Sequence, residues 1–169
     1  MSRAAPPSVG ARAGAGDADP AALLCPSAAA EPGRSVVFGV AGAAPRAGET
    51  PGDSGRTVAY LTKTVPVPED VAALTAPVAP NAVLRTAAPC AGSGCRHFSG
   101  HSCTLIERIA VALDPVVDHP PACAIRGTCR WWAEQGRVAC VRCPQIVTDR
   151  EAPSEAYALA MAPPERMTA

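Results

Sequence analysis

Apolar positions along this chain fall into two short β-branched runs and then into a helical period. Ser35–Val40 reads SVVFGV between Gly33 and Gly42, which predicts a strand. Thr57–Thr64 (TVAYLTKT) predicts a second, with Val58, Tyr60 and Thr62 on one face and Pro66 and Pro68 ending it. The stretch between them carries Pro45, Gly48, Pro51, Gly52 and Gly55 and reads as a loop, so the two strands are expected to pair as a hairpin around it. Glu69–Thr75 suits a short helix with an acidic start. Asn81–Ala87 is ambiguous between a strand and a helical turn. The strongest helical pattern is Ser102–Leu113, where Leu105, Ile106, Ile109 and Leu113 share a face, Ser102 serves as N-cap and Pro115 stops the run. A second helix is expected from Thr128, as N-cap, to about Gln135, with Gly136 as its stop. Val138–Thr148 reads as extended, broken by Pro144.

These elements predict an α+β fold. A small loop-rich domain begins with a short β-hairpin unit (residues 25–89) and continues into a cysteine-rich metal module with two short helices (90–149). Residues 1–24 are rich in Ala, Gly and Pro without a period and are expected to be disordered. Residues 150–169 are expected to be a flexible tail, with a weak helical stretch near Tyr157. The 48% hydrophobic content is largely alanine and aromatics are only 4%, so the core is thin and wants a staple such as a metal or disulfides. Formal charge is zero, which removes any global electrostatic case for nucleic acid or acidic lipid. Fourteen arginines accompany one lysine, Lys63, which reads as codon bias more than as a partner preference.

Seven of the eight cysteines lie between Cys90 and Cys143, spaced C-x4-C-x7-C-x19-C-x5-C-x10-C-x2-C. The first residues hold prolines and aspartates and no apolar core of a signal peptide, and no run approaches the ~18 apolar residues of a membrane span. A cytoplasmic location is therefore expected. In that compartment thiols stay reduced, and clusters of them mean metal or catalysis. Cys103 and Cys129 are each expected just inside a helix, where free N–H groups favour a thiolate. Arg96, Arg126, Arg130, Arg137 and Arg142 lie beside cysteines and act in the same direction, or else form a solvated basic surface.

Three chemistries compete. An iron–sulfur cluster of the 4Fe–4S type needs four thiolates on an irregular loop framework, and Cys123, Cys129, Cys140 and Cys143 supply four in 21 residues, with Pro144 after the last. Structural zinc is the alternative: Cys140-x2-Cys143 is a good knuckle and Cys90-x4-Cys95 a looser one, and the seven metal candidates (Cys90, Cys95, Cys103, Cys123, Cys129, Cys140, Cys143) with His97 or His101 would fill two sites. His119 reads as a turn residue. Dithiol redox chemistry at Cys140–Cys143 ranks below both, because Pro144 and an extended segment follow where a thioredoxin-type pair would open a helix. Cys25, remote in sequence, reads as a buried thiol or an eighth ligand, with the former preferred. Glycine-rich phosphate loops, G-x-S-x-G, H-E-x-x-H and the dinucleotide fingerprint are missing, so no reaction is assigned. The reading that follows is a small iron–sulfur protein in electron transfer, redox sensing or metallocluster handling, with a redox or metallocluster protein as partner and no membrane. The competing class is a zinc-stapled interaction module. Its Arg126, Arg130, Arg137 and Arg142, set against Glu134, would meet phosphate or an acidic protein face.

Overall fold

The computed structural model describes residues 23–43, 57–150 and 152–164. Residues 1–22 of the segment expected to be disordered and most of the glycine- and proline-rich loop lie outside these residues, while Leu23 is buried and Leu24 lies in a strand, against that expectation. Four strands form one antiparallel sheet: β1 (Leu24–Cys25), β2 (Val36–Ala43), β3 (Thr57–Pro66) and β4 (Leu84–Pro89), in the order β1-β4-β2-β3. The expected pairing of β2 with β3 is present, and the fold is mixed α and β. The hairpin is only half of the sheet, however. The ambiguous stretch at 81–87 divides into a single helical turn, α2 (Pro80–Val83), and then β4, which lies between β1 and β2. Proline at the first helical position suits the turn, and the β-branched and extended residues after it have two strands to pair with.

The two faces of the sheet bury different things. Val37 packs with Val67 and with Val71 of α1 (Val71–Thr75) on one side. Phe38, its neighbour, points the other way into the main core with Ala87. That core is filled by Leu105, Ile106 and Ile109 of α3 (Thr104–Ala112), by Trp131 of α4 (Arg130–Gln135), by Ala139 of α5 (Arg137–Cys140) and by Tyr157 of α6 (Glu155–Met161). Ile106 and Ile109 are fully buried, each contributing about 1.5–3 kcal/mol by its removal from water. One core thus runs through the residues expected to form separate hairpin and cysteine units.

Three expectations are corrected. The segment from Val138 onward is not extended at its start. Gly136, at φ 52°, ends α4 and lets the chain restart at once as α5, and Cys143–Gln145 adds a 3-10 turn. Residues 155–161 are a docked helix within the expected flexible tail. Ser154 caps it by accepting from the Tyr157 amide, and the Tyr157 hydroxyl donates to the Val147 carbonyl at 2.6 Å and accepts from the Val147 amide at 2.8 Å. Both cysteine-bearing helices also start one residue later than expected, so that Cys103 and Cys129 are themselves the N-cap residues. Among the described residues no helix is long and apolar enough to cross a membrane.

Gly39 marks an irregularity where β2 pairs with both neighbours, opposite Tyr60 on β3 and Arg85 on β4. A β-carbon there would stand 2.6 Å from Val58 Cγ1 and 3.2 Å from the Ala59 carbonyl oxygen. We expect Gly39→Ala to lower unfolding stability by about 1–3 kcal/mol, through overpacking against a backbone that cannot withdraw. Gly127→Ala, where a β-carbon meets nothing within 4 Å, is the control expected to stay within about 0.5 kcal/mol. Urea titration of the two variants checks this, and equal stabilities would refute the close approach.

Candidate functional site

The fold sorts all eight thiols into two sets of four, and all eight are free. Cys123, Cys129, Cys140 and Cys143 line a narrow cavity of about 20 Å³ against Phe38, Tyr60 and Trp131. Cys25, Cys90, Cys95 and Cys103 line a second cavity of about 230 Å³, with His97 and Arg130 in its wall. Trp131, 2% exposed, forms part of both walls. Among the described residues no three His, Cys, Asp or Glu side chains converge closely enough to hold a single ion.

Local structure explains how the first set assembles. Cys129 ends a 3-10 turn and opens α4, and its amide donates to the Arg126 carbonyl at 3.2 Å. Gly136 reverses the chain, α5 carries Cys140, and the Arg142 side chain ties the next turn to α3 by donating to the Leu113 carbonyl at 2.6 Å. Cys143 then lies under the sheet, where Arg85 of β4 reaches it. Arg85 is 1% exposed. Its Nη1 donates to the carbonyls of Cys143 (3.0 Å) and Ile146, its Nη2 donates to the Pro26 carbonyl (2.7 Å) and lies 3.7 Å from the Cys143 sulfur, and its guanidinium stacks on Phe38. Burial works against its charge, but Cys143, Tyr60 and Tyr157 around it outweigh that and hold it protonated. None of these hydrogen bonds goes to a carboxylate.

Further donors surround the same sulfurs. The Tyr60 hydroxyl and the Arg126 Nε are buried without a hydrogen-bond partner. Tyr60 sits beside Cys143, and its own burial together with that sulfur pushes the hydroxyl well above its usual pKa, so it remains a donor. The Arg126 guanidinium, lying over Trp132, acts on both Cys140 and Cys123. Burial pushes the Cys129 thiol up, and the Trp132 and Trp131 amides at the N-cap offset this only in part. Buried donors without acceptors, aimed at a set of sulfurs, are what an anionic sulfur-bonded group would satisfy.

The second set is drawn from four places. β1 pairs with the end of β4, Cys25 opposite Ala88, and the Cys90 amide donates to the Leu23 carbonyl at 2.8 Å, which sets Cys25 beside Cys90. Cys95 lies on the glycine-rich loop, its sulfur accepting from the His97 amide at 3.4 Å. Cys103 caps α3, and its amide donates to Glu134 Oε2 at 2.8 Å, while Glu134 Oε1 holds Arg130 at 2.7 Å. Arg130 interacts with the Cys90 sulfur and lies over Phe98.

Each residue singled out in the sequence can now be placed. The seven cysteines divide four and three between the cavities, and Cys25, expected to pack as an isolated thiol, joins the three. Cys140 and Cys143 stand together, while Cys90 and Cys95 belong to the other set. Of the histidines, His97 is half-buried with its Nδ1 2.9 Å from Arg108, and burial with that guanidinium lowers its pKa. His101 and His119 are exposed. Arg126 and Arg130 reach sulfur, whereas Arg137 and Arg142 are spent on the carbonyls of Asp118, Leu113 and Val138. Sequence reasoning missed Arg85 and Tyr60. The one available signal was a lone arginine inside an otherwise apolar strand. No family model matches the chain, and no curated protein or solved structure resembles it significantly.

Burial raises the Cys25 thiol from 9.0 to about 11, with Cys90, Cys103 and Cys95 adding to it. Burial likewise raises Cys129 to about 12, with Cys143 and Cys140 adding, and Cys140 to about 11. In the reduced, metal-free protein these thiols keep protons that the unfolded chain releases above about pH 9. Their contribution to stability is full below that pH and is lost as pH rises towards about 11–12. We expect the metal-free protein to lose up to roughly 1.4 kcal/mol per pH unit for each of Cys25 and Cys129 above about pH 9. Urea midpoints between about pH 8 and pH 10.5 measure it, and a flat profile would contradict these burials.

Proposed function

We propose that this protein is an iron–sulfur protein, holding a 4Fe–4S cluster on Cys123, Cys129, Cys140 and Cys143. The observation that carries this reading is the environment of the four sulfurs. A buried guanidinium bonded to no carboxylate and two further buried donors without acceptors, Tyr60 Oη and Arg126 Nε, converge on them. An uncompensated buried cation costs several kcal/mol, and a thiolate-bound cluster supplies the missing negative charge. The four thiols line one narrow cavity and do not converge on a single point.

Ligation decides the chemistry. Four thiolates cap the four irons of such a cluster, leaving no open position for a substrate, as a closed site differs from a catalytic one. The activity is therefore gain and loss of an electron, in transfer to a redox protein or in sensing. The donors beside the sulfurs, Tyr60, Arg85 and the α4 amides, would tune the potential of a bound cluster.

Anaerobically purified protein is expected to be brown, with a broad absorption near 400 nm that bleaches with dithionite, and with iron and sulfide in equal amounts. Cys140→Ser is expected to lose about four irons per chain. A colourless protein carrying zinc, or one without metal, would sink the proposal, as would a Cys140→Ser variant with full iron content.

A further inference from the structure

We propose a second 4Fe–4S site on Cys25, Cys90, Cys95 and Cys103, which makes this a two-cluster protein with one indole between the clusters. The proposal rests on the iron–sulfur reading of the first site but on separate residues.

Four observations carry it. The first is the donor set. β1, only two residues long, pairs with β4 so that Cys25 completes a group of four thiols, and histidine is not needed to fill it. The Cys90 amide donates to the Leu23 carbonyl at 2.8 Å, which holds Cys90 against β1 beside Cys25. The second is room: the enclosed space is about 230 Å³. The third is an unpartnered donor. Trp131 Nε1 is buried without a hydrogen bond, in a side chain 2% exposed, and lies beside the Cys103 sulfur. A thiolate or sulfide acceptor on the cavity side would satisfy it. The fourth is charge. The Arg130 guanidinium acts on the Cys90 sulfur, and Glu134 both holds Arg130 and fixes the Cys103 amide, so one carboxylate orients both sides of the site.

Loading is ligand exchange from a preassembled cluster. Four Fe–S bonds to the donor's thiolates and four cysteine S–H bonds break, four Fe–S bonds to this chain form, the four protons pass to the released thiolates and no electron moves. The two sets share the side chain of Trp131, so electrons would pass between clusters across a single residue.

The test uses the full chain purified anaerobically, with iron and sulfide measured per folded monomer and electron paramagnetic resonance recorded after reduction. Wild type is expected to hold about eight irons, and its reduced spectrum to be broadened by coupling between two clusters. Cys25→Ala and Cys95→Ala are each expected to fall to about four irons and to lose that broadening. Cys95 sits on an exterior loop, so its variant reports on ligation even if Cys25→Ala disturbs β1. Four irons in wild type, unchanged in both variants, would overturn the second site, as would zinc in place of the second four. Iron that survives Cys140→Ala undiminished but is lost in Cys25→Ala would instead overturn the first site and leave this one standing. A chain with no iron at all would overturn both.

Discussion

A buried cation without a carboxylate organises this structure. Arg85 sits on β4, the strand that β1 and β2 flank, and is enclosed on every side. Its guanidinium gathers the carbonyl of Pro26 and those of Cys143 and Ile146, two segments far apart in sequence. Carbonyl dipoles satisfy its N–H groups but do not cancel its charge. Something anionic has to lie within reach, and the nearest group able to become so is the Cys143 thiol. The cation explains both why the C-terminal turn closes against the sheet and why that turn carries a cysteine.

Around that point the chain uses short devices. Two cysteines stand at helix N-caps, where three or four amides lack internal partners and favour negative charge. A glycine at positive φ lets α4 and α5 follow without a linker, which folds Cys140 back towards Cys129. A two-residue strand delivers Cys25, and an isolated bridge from Leu24 to Cys129 ties that strand to the start of α4. The paired thiol sets are thus consequences of pairing register and helix ends. The arginines that read in sequence as a basic face are divided between sulfur and carbonyl partners.

The legible parts of this fold were those governed by local pattern. The two long strands, the apolar face of α3 and the stop at Gly136 all follow from residues within one element. The four cysteines of the first site were legible because they are close in sequence. Cys25 was not, because 64 residues separate it from Cys90 and only the register of β1 on β4 unites them. Arg85 was illegible for a related reason: an arginine in a strand ordinarily marks a solvent face, and its burial depends on carbonyls from two distant turns. The helix at 155–161 looked weak because its alanines offer little area, yet one tyrosine with two hydrogen bonds to Val147 anchors it.

On the two-cluster reading the two sites are unequal, and their inequality has a direction. The first is the narrower and faces Arg85, Arg126 and Tyr60, all donors and two of them cations. The second has more open space, borders the half-buried loop at Cys95–Phe98, and its single arginine is neutralised by Glu134. Reduction adds negative charge, which nearby cations and donors to sulfur favour. On that reading the first site is the one that holds an electron more tightly. Trp131 lines both cavities, with its indole N–H beside the Cys103 sulfur of the second set.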